Sequence, residues 1–274
     1  MDYINSSILG IIQGLTEFLP ISSTAHLIIV PFLLKIKEGL LKSLTFDIFL
    51  HGGTLLAVII YYRDKIIKLI VKFFEGIFDK NKRDDVNFKL SIFIILATLP
   101  AFFFGYFFKD LIEQIFRTPI FSALFLIIFA ILLFIADRIK NKSKDIEKLN
   151  FFDALIIGFF QAIALLPGVS RSGITITAGL FLGYNRKDAA EFSFLLSIPV
   201  ILGALVFGIK DLVKSGINDN FIILITGFIF AFLSGIIAIK FLLSYVKRFS
   251  YLIFIIYRIT FGTLILILIF LGKI

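Results

Sequence analysis

The chain has 274 residues, 59% of hydrophobic type and 17% charged, where a soluble domain usually carries about 25% charged residues. Twenty-eight Lys and Arg against nineteen Asp and Glu leave a formal net charge of +9. A water-soluble domain is nearly excluded, and the absence of cysteine removes thiol catalysis, disulfide scaffolding and cysteine-ligated metal. With His26 and His51 as the two histidines, a multi-histidine metal centre is disfavoured. The basic excess sits in short connections and forms no basic domain, so it reads as membrane orientation, with no nucleic-acid partner.

In chain order, the first apolar region, about 5–36, is interrupted by LPISS (Leu19–Ser23). Asp2 stands where a signal peptide would be basic, and Gln13 and Glu17 lie in the apolar stretch, so residue 1 is expected to be the mature start. Six segments are apolar and long enough to span about 30 Å of hydrocarbon: about 46–62, short and marginal, then 89–108, 119–137, 189–209, 219–242 and 250–271. A second broken region, about 151–184, carries LPGVSRSG (Leu166–Gly173). The halves of both broken regions are about 14 residues, too short to cross singly, so both are expected to be re-entrant hairpins. The fold class is therefore an all-α polytopic membrane protein of six transmembrane helices and two re-entrant helical hairpins, in one membrane domain over 1–274.

Loop charge sets the expected orientation. Connections 63–88 and 138–150 are rich in Lys and Arg and should be cytoplasmic, as should 243–249, leaving 109–118 and 210–218 outside. Hairpin 5–36 then enters from outside and 151–184 from inside. Gly10, Gln13, Leu19, Pro20 and Ser23 align with Gly158, Gln161, Leu166, Pro167 and Ser170; FDIFLHGGTLLAV (from Phe46) parallels FSFLLSIPVILGA (from Phe192), and PAFFFG (Pro100–Gly105) parallels FAFLSG (Phe230–Gly235). These matches indicate an inverted-topology repeat with halves at about 1–140 and 151–274, its two breaks meeting near the bilayer middle.

Unwound backbone inside a membrane is tolerated only when buried in protein or lining a polar cavity, so the two breaks mark a candidate site. The first supplies Glu17, Ser22, Ser23, Thr24 and His26, the second Ser170, Arg171, Ser172 and Thr175. A helix restarting after Pro20 presents hydroxyls and free amides, an anion site, and an arginine from the facing break makes it a phosphate site. Ser23 and His26, three apart, are expected to share a helix face and point into one cavity. Plainer readings stand beside these. The prolines can mark kinks, Arg171 can be a counter-ion for Glu17, His26 can be a packed residue, and His51, aligned with Ser197, reads as a polar packing contact. Arg258 either anchors the halves or supports the site.

GLTEFLPISSTAHL and LPGVSRSGIT resemble the two signature motifs of the bacterial undecaprenyl-diphosphate phosphatase family, the bacitracin-resistance type. The resemblance runs over nearly the whole chain, including EFSFLLSIP (Glu191–Pro199) and IYR (Ile256–Arg258). It implies inverted repeats around a site open to the outer face of the bacterial cytoplasmic membrane. It also implies Glu17 as activating carboxylate, Ser23 as nucleophile or phosphate ligand, His26 as acid/base and Arg171 as diphosphate clamp. Ser22, Thr24, Ser170, Ser172 and Thr175 would be substrate-binding donors. Gln13 stands where many members have a second glutamate, and Ala25 where glycine is usual. No cofactor is assigned as certain. The resemblance adds a divalent cation, Mg or Ca, for which no ligand beyond Glu17 is named because the first carboxylate is missing.

The activity implied is hydrolysis of undecaprenyl diphosphate to undecaprenyl phosphate and inorganic phosphate, with a polyprenyl diphosphate lipid and the membrane as partners and a homodimer as a further option. The rival is a secondary transporter or lipid flippase, since inverted repeats with broken helices are a general transporter arrangement. A non-catalytic role in a cell-wall assembly complex would not call for buried ionisable residues.

Overall fold

The computed structural model describes residues 2–36, 39–140, 143–215 and 221–273, with side chains undescribed at 44, 109, 110, 113 and 207–215. Eleven α-helices run through the described residues, with no strand among them: α1 Asp2–Phe18, α2 Ser23–Leu33, α3 Leu44–Tyr61, α4 Arg63–Phe78, α5 Val86–Phe116, α6 Pro119–Arg138, α7 Phe151–Ile163, α8 Arg171–Phe181, α9 Arg186–Ser215, α10 Phe221–Tyr245 and α11 Leu252–Phe270. In five of them the stretches Val86–Phe108, Pro119–Arg138, Arg186–Val206, Phe221–Tyr245 and Leu252–Phe270 are long and apolar enough to cross a membrane; α3 with α4 makes a sixth if that pair, bent by 80°, is one span. Large apolar side chains such as Phe103, Phe107, Leu233, Ile237 and Ile256 remain exposed, as lipid-facing residues are. The chain is a multi-pass membrane protein.

Three connections differ from the sequence reading. The 63–88 connection is largely helical: α4 buries Leu69 and Gly76 and exposes Ile67, Ile70, Val71 and Phe74. Its lysines, spaced three and four apart, look like a loop in a hydropathy scan but leave an apolar stripe open on the helix surface. The 109–118 connection is helical to Phe116, because no breaker precedes Thr118 and Pro119, which start α6. The 210–218 connection is helical to Ser215, and its remainder lies outside the described residues.

The two breaks are built alike. Ser22 (φ 74°, ψ 95°) and Ser170 (φ 72°, ψ 110°) each sit at the N-cap of the returning helix in the left-handed region, costly for a residue with a Cβ. Each hydroxyl accepts from the amide three residues on, Ala25 N at 3.4 Å and Gly173 N at 3.1 Å. The partner of Ser170 is therefore Ser22, not Ser23 as the sequence alignment had it. The break Leu166–Ser170 holds one residue more than Leu19–Ser22, so the register that pairs Gln13 with Gln161 returns at Ser22 and Ser170. At the restored register Ser23 and Arg171 are equivalent, each the first residue of its helix.

Close helix approach holds the breaks in place. α1 packs on α10, where a Cβ on Gly10 or Gly14 would run into the backbone of Gly227 or Ala231. α7 packs on α5, where a Cβ on Gly158 would lie 2.9 Å from Ala97 Cα. Ser6 Oγ donates to Ile223 O at 2.6 Å across the first pair, and Gln161 Nε2 to Ala97 O at 3.1 Å across the second. The α7–α8 hairpin leaves and returns on one side: Tyr184 Oη donates to Asp153 Oδ2 at 2.6 Å, and Lys144 Nζ meets the same oxygen at 3.0 Å.

Candidate functional site

Glu17 ends α1 and is buried, as an intramembrane carboxylate must be unless it faces water. Both of its carboxylate oxygens are hydrogen-bonded. Oε1 accepts from Arg171 Nη2 at 2.7 Å, and Oε2 accepts from Ser23 Oγ at 2.8 Å and from Gln13 Nε2 at 3.2 Å. One buried carboxylate faces one guanidinium, so the charges compensate inside the protein. Arg171 also donates through Nη1 to Ser193 O at 3.0 Å, leaving three of its five N–H groups outside these bonds.

The hydroxyl and the guanidinium come from the first turns of α2 and α8. By helix geometry the amides of Ser23, Thr24, Arg171 and Ser172 have no intrahelical acceptor. The cluster thus joins two helix N-termini, a guanidinium and a serine hydroxyl held on a carboxylate, a set suited to binding an anion and activating an oxygen nucleophile.

The remaining expected donors work mainly between elements. Ser22 and Ser170 are the caps described above. Ser172 Oγ crosses from α8 to the first break, donating to Leu19 O at 3.1 Å, and lies 3.2 Å from Ser170 Oγ. Thr175 Oγ1 donates to Ser193 Oγ at 2.7 Å and so fixes α8 on α9. Thr24 is exposed and shares no described hydrogen bond with Glu17 or Arg171.

His26 and Ser23 take different partners. No described hydrogen bond joins it to Ser23. Its Nδ1 lies 2.7 Å from Ser22 O, and its Nε2 lies 2.6 Å from Tyr257 Oη. A carbonyl only accepts, so Nδ1 carries the proton and Nε2 accepts from the phenol. The ring stacks on Phe261 at 4.6 Å. Helix periodicity put Ser23 and His26 on one face, but Glu17 captures the serine while α11 captures the imidazole. His51, expected as a packing contact, instead has Nε2 3.8 Å from Glu17 Oε2. Neither Tyr257 nor Ser193 stood out in the sequence, although both lie within stretches singled out for their resemblance.

Arg258 is fully buried, and carbonyls surround it: Leu126 O at 3.1 Å, Pro20 O at 3.3 Å, Gly168 O at 3.2 Å, Val169 O at 2.9 Å and Phe125 O at 3.5 Å. It ties both breaks to α6 and α11.

The family model for "Bacitracin resistance protein BacA" matches residues 6–264. The chain belongs to this family. Proteins named undecaprenyl-diphosphatase match it throughout: that of Geotalea daltonii is 46% identical over 99% of this chain and 100% of its own length, that of Elusimicrobium minutum 45% over 97% and 98%, and that of Moorella thermoacetica 43% over 97% of each. A divalent cation implied by the family does not fit the donors around Glu17. Both carboxylate oxygens are already bonded, one of them to a cation, and no group of three His, Cys, Asp or Glu gathers among the described residues.

Proposed function

We propose that this chain hydrolyses undecaprenyl diphosphate to undecaprenyl phosphate and inorganic phosphate, regenerating the lipid carrier of cell-wall synthesis. The observation that carries the proposal is the meeting of Arg171, Glu17 and Ser23 at two helix N-termini, in a chain whose family relatives are named for this reaction. A transporter needs groups that bind an anion. It does not need a serine hydroxyl donated to a buried carboxylate.

In the proposed reaction the diphosphate binds the free N–H groups of Arg171 and the first amides of α2 and α8. Ser23 Oγ attacks the terminal phosphorus while Glu17 Oε2 takes its proton, and the bond to the bridging oxygen breaks toward undecaprenyl phosphate. Water then releases phosphate from the serine. His26, held at both ring nitrogens, is proposed as acid/base toward the leaving group, with Tyr257 setting the direction of Nε2. Ser22 and Ser170 cap the two helices, Ser172 ties α8 to the first break, Thr175 fixes α8 on α9, and exposed Thr24 is proposed to meet the lipid phosphate.

The purified protein in detergent should release phosphate from undecaprenyl diphosphate and carry labelled phosphate on Ser23 after rapid acid quench. A pure carrier would release none. Running the assay with and without chelator tests the cation. Tyr257→Phe should lower kcat about fivefold with KM nearly unchanged, the kinetic counterpart of one hydrogen bond of about 1 kcal/mol.

The proposal extends to a single membrane domain whose halves, about 1–140 and 151–274, form an inverted repeat. Support comes from the matched breaks and from the reciprocal packing of α1 on α10 and α7 on α5, where Gly10 meets Gly227 as Gly158 meets Ala97. Orientation follows from charge. Lys65 pairs with Glu191, Arg186 with Asp137, and Tyr251 N donates to Asp137, gathering the basic connections at one end, which we take as cytoplasmic in a bacterial inner membrane. The site then opens to the outer face. Pairing with a second copy of the chain belongs to the same reading and is measured by light scattering in detergent.

A further inference from the structure

The reaction proposed above leaves a proton on Glu17, a carboxyl buried at 7% exposure. Turnover requires that this proton leave. Arg171 on Oε1 cannot accept it, Gln13 offers an N–H, and His26 bonds to Ser22 and Tyr257 and makes no described hydrogen bond to Glu17. His51 is placed differently. Its Nδ1 lies 2.7 Å from Asp47 O, a carbonyl that only accepts, so that nitrogen carries the ring proton and Nε2 is the basic one. Nε2 faces Glu17 Oε2 at 3.8 Å, and that oxygen is also the one that accepts Ser23 Oγ at 2.8 Å. The imidazole side chain is 31% exposed against 7% for Glu17, so it lies between the buried carboxylate and the protein surface.

The helix fixes this pose. α3 starts at the Ser43 cap, where Phe46 N donates to Ser43 Oγ at 3.1 Å, and Thr54 Oγ1 bonds back to His51 O at 2.9 Å. Gly52 and Gly53 let α10 come close at Phe228, so α3 cannot turn its histidine away without separating from α10. The ionisable groups facing the ring are Glu17 on α1, backed by Arg171 of α8, and Asp47 on α3 itself, which is paired with Arg117 at 3.6 Å. From α10, the Phe228 ring lies against Gly52, the next residue of α3.

We propose that His51 is the proton carrier of this site. The proton that Ser23 loses as its Oγ–P bond forms passes to Glu17 Oε2 and from there to His51 Nε2, giving an imidazolium beside the restored carboxylate; the exposed ring edge then gives it to water. When water cleaves the phosphoserine, Glu17 Oε2 takes the water's proton and returns it to the Ser23 oxygen, so only the first half of the reaction sends a proton out through His51. Contact distances of this kind shorten when substrate closes the site. The role rests on the phosphatase reading and acts through Glu17, so its test must separate proton transfer from packing.

Phosphate release by wild type, His51→Gln and His51→Ala is measured between pH 5 and 9, with each variant shown monodisperse in detergent. Glutamine keeps much of the shape and can still hydrogen-bond, but it cannot carry a proton at these pH values. His51→Gln should lower kcat about 100-fold with KM within twofold, and the limb of the wild-type profile that reports the histidine should vanish. Free imidazole in the buffer should restore His51→Ala at least tenfold. If His51→Gln keeps the wild-type kcat and pH profile, and imidazole leaves His51→Ala unchanged, the histidine is a packing residue and the proposal fails while the phosphatase reading stands. If the wild type itself releases no phosphate, both fall together.

Discussion

Arg171→Lys is expected to lower kcat/KM on undecaprenyl diphosphate about 100-fold, and Arg171→Gln about 1000-fold or more. Lysine keeps the positive charge but offers a single ammonium where the guanidinium reaches Glu17 Oε1 and Ser193 O at once and still has N–H groups for a diphosphate. Removal of one donor aimed at developing charge typically costs 10²- to 10³-fold in rate. The counter-ion reading makes a different forecast. Arg171→Gln alone strands a buried carboxylate and should destabilise the protein by about 3–5 kcal/mol. Glu17→Gln with Arg171→Gln removes both charges and should recover most of that stability. A double variant that is stable but releases no phosphate supports the catalytic roles; one that recovers turnover along with stability reduces the pair to a structural ion pair. Thermal unfolding in detergent and phosphate release, measured on the same preparations, separate the two.

Arg258→Leu is expected to be strongly destabilising. Leucine removes the donors of carbonyls in both breaks and in α6, and each buried carbonyl left unpaired costs about 1–3 kcal/mol. Counting the three contacts at 3.2 Å or less, the loss should reach about 3 kcal/mol or more, read as a fall in the unfolding temperature or as protein recovered only in aggregates. Arg258→Lys should recover part of the stability, because one ammonium cannot span carbonyls at Pro20, Val169 and Leu126 together. Gly173 gives an independent handle, since a Cβ there would lie 2.8 Å from Arg258 Nη1. Gly173→Ala should therefore reproduce part of the Arg258 defect without touching the arginine. Wild-type stability in both Arg258→Leu and Gly173→Ala would show that the breaks hold themselves.

The site was legible in unequal parts. Glu17, Ser23 and Arg171 were readable because a carboxylate, hydroxyls and a guanidinium in broken apolar segments are costly to keep without a purpose, and the structure brings them within hydrogen-bond distance. Spacing on one helix put Ser23 and His26 on a shared face, but it could not show that the serine bonds to Glu17 and the imidazole to Tyr257. Periodicity fixes which way a side chain leaves its own helix; the partner it finds depends on what packs there, and Tyr257 lies 231 residues away in the chain. His51 was set aside for the same reason, since nothing local to α3 reveals that the end of α1 lies beside it.

Apolar runs, prolines and the signs of the loop charges are local properties, and they determined that the chain crosses a membrane several times, where its spans lie and which two segments break. The bilayer imposes length and hydrogen-bonding demands that each segment meets or fails by itself. The pairing of Ser22 with Ser170, the helical character of the 63–88 connection, the anchoring of both breaks by Arg258 and the approach of His51 to Glu17 were decided only in three dimensions. Each depends on side chains from distant segments competing for the same few buried acceptors, and that competition is resolved when the helices pack.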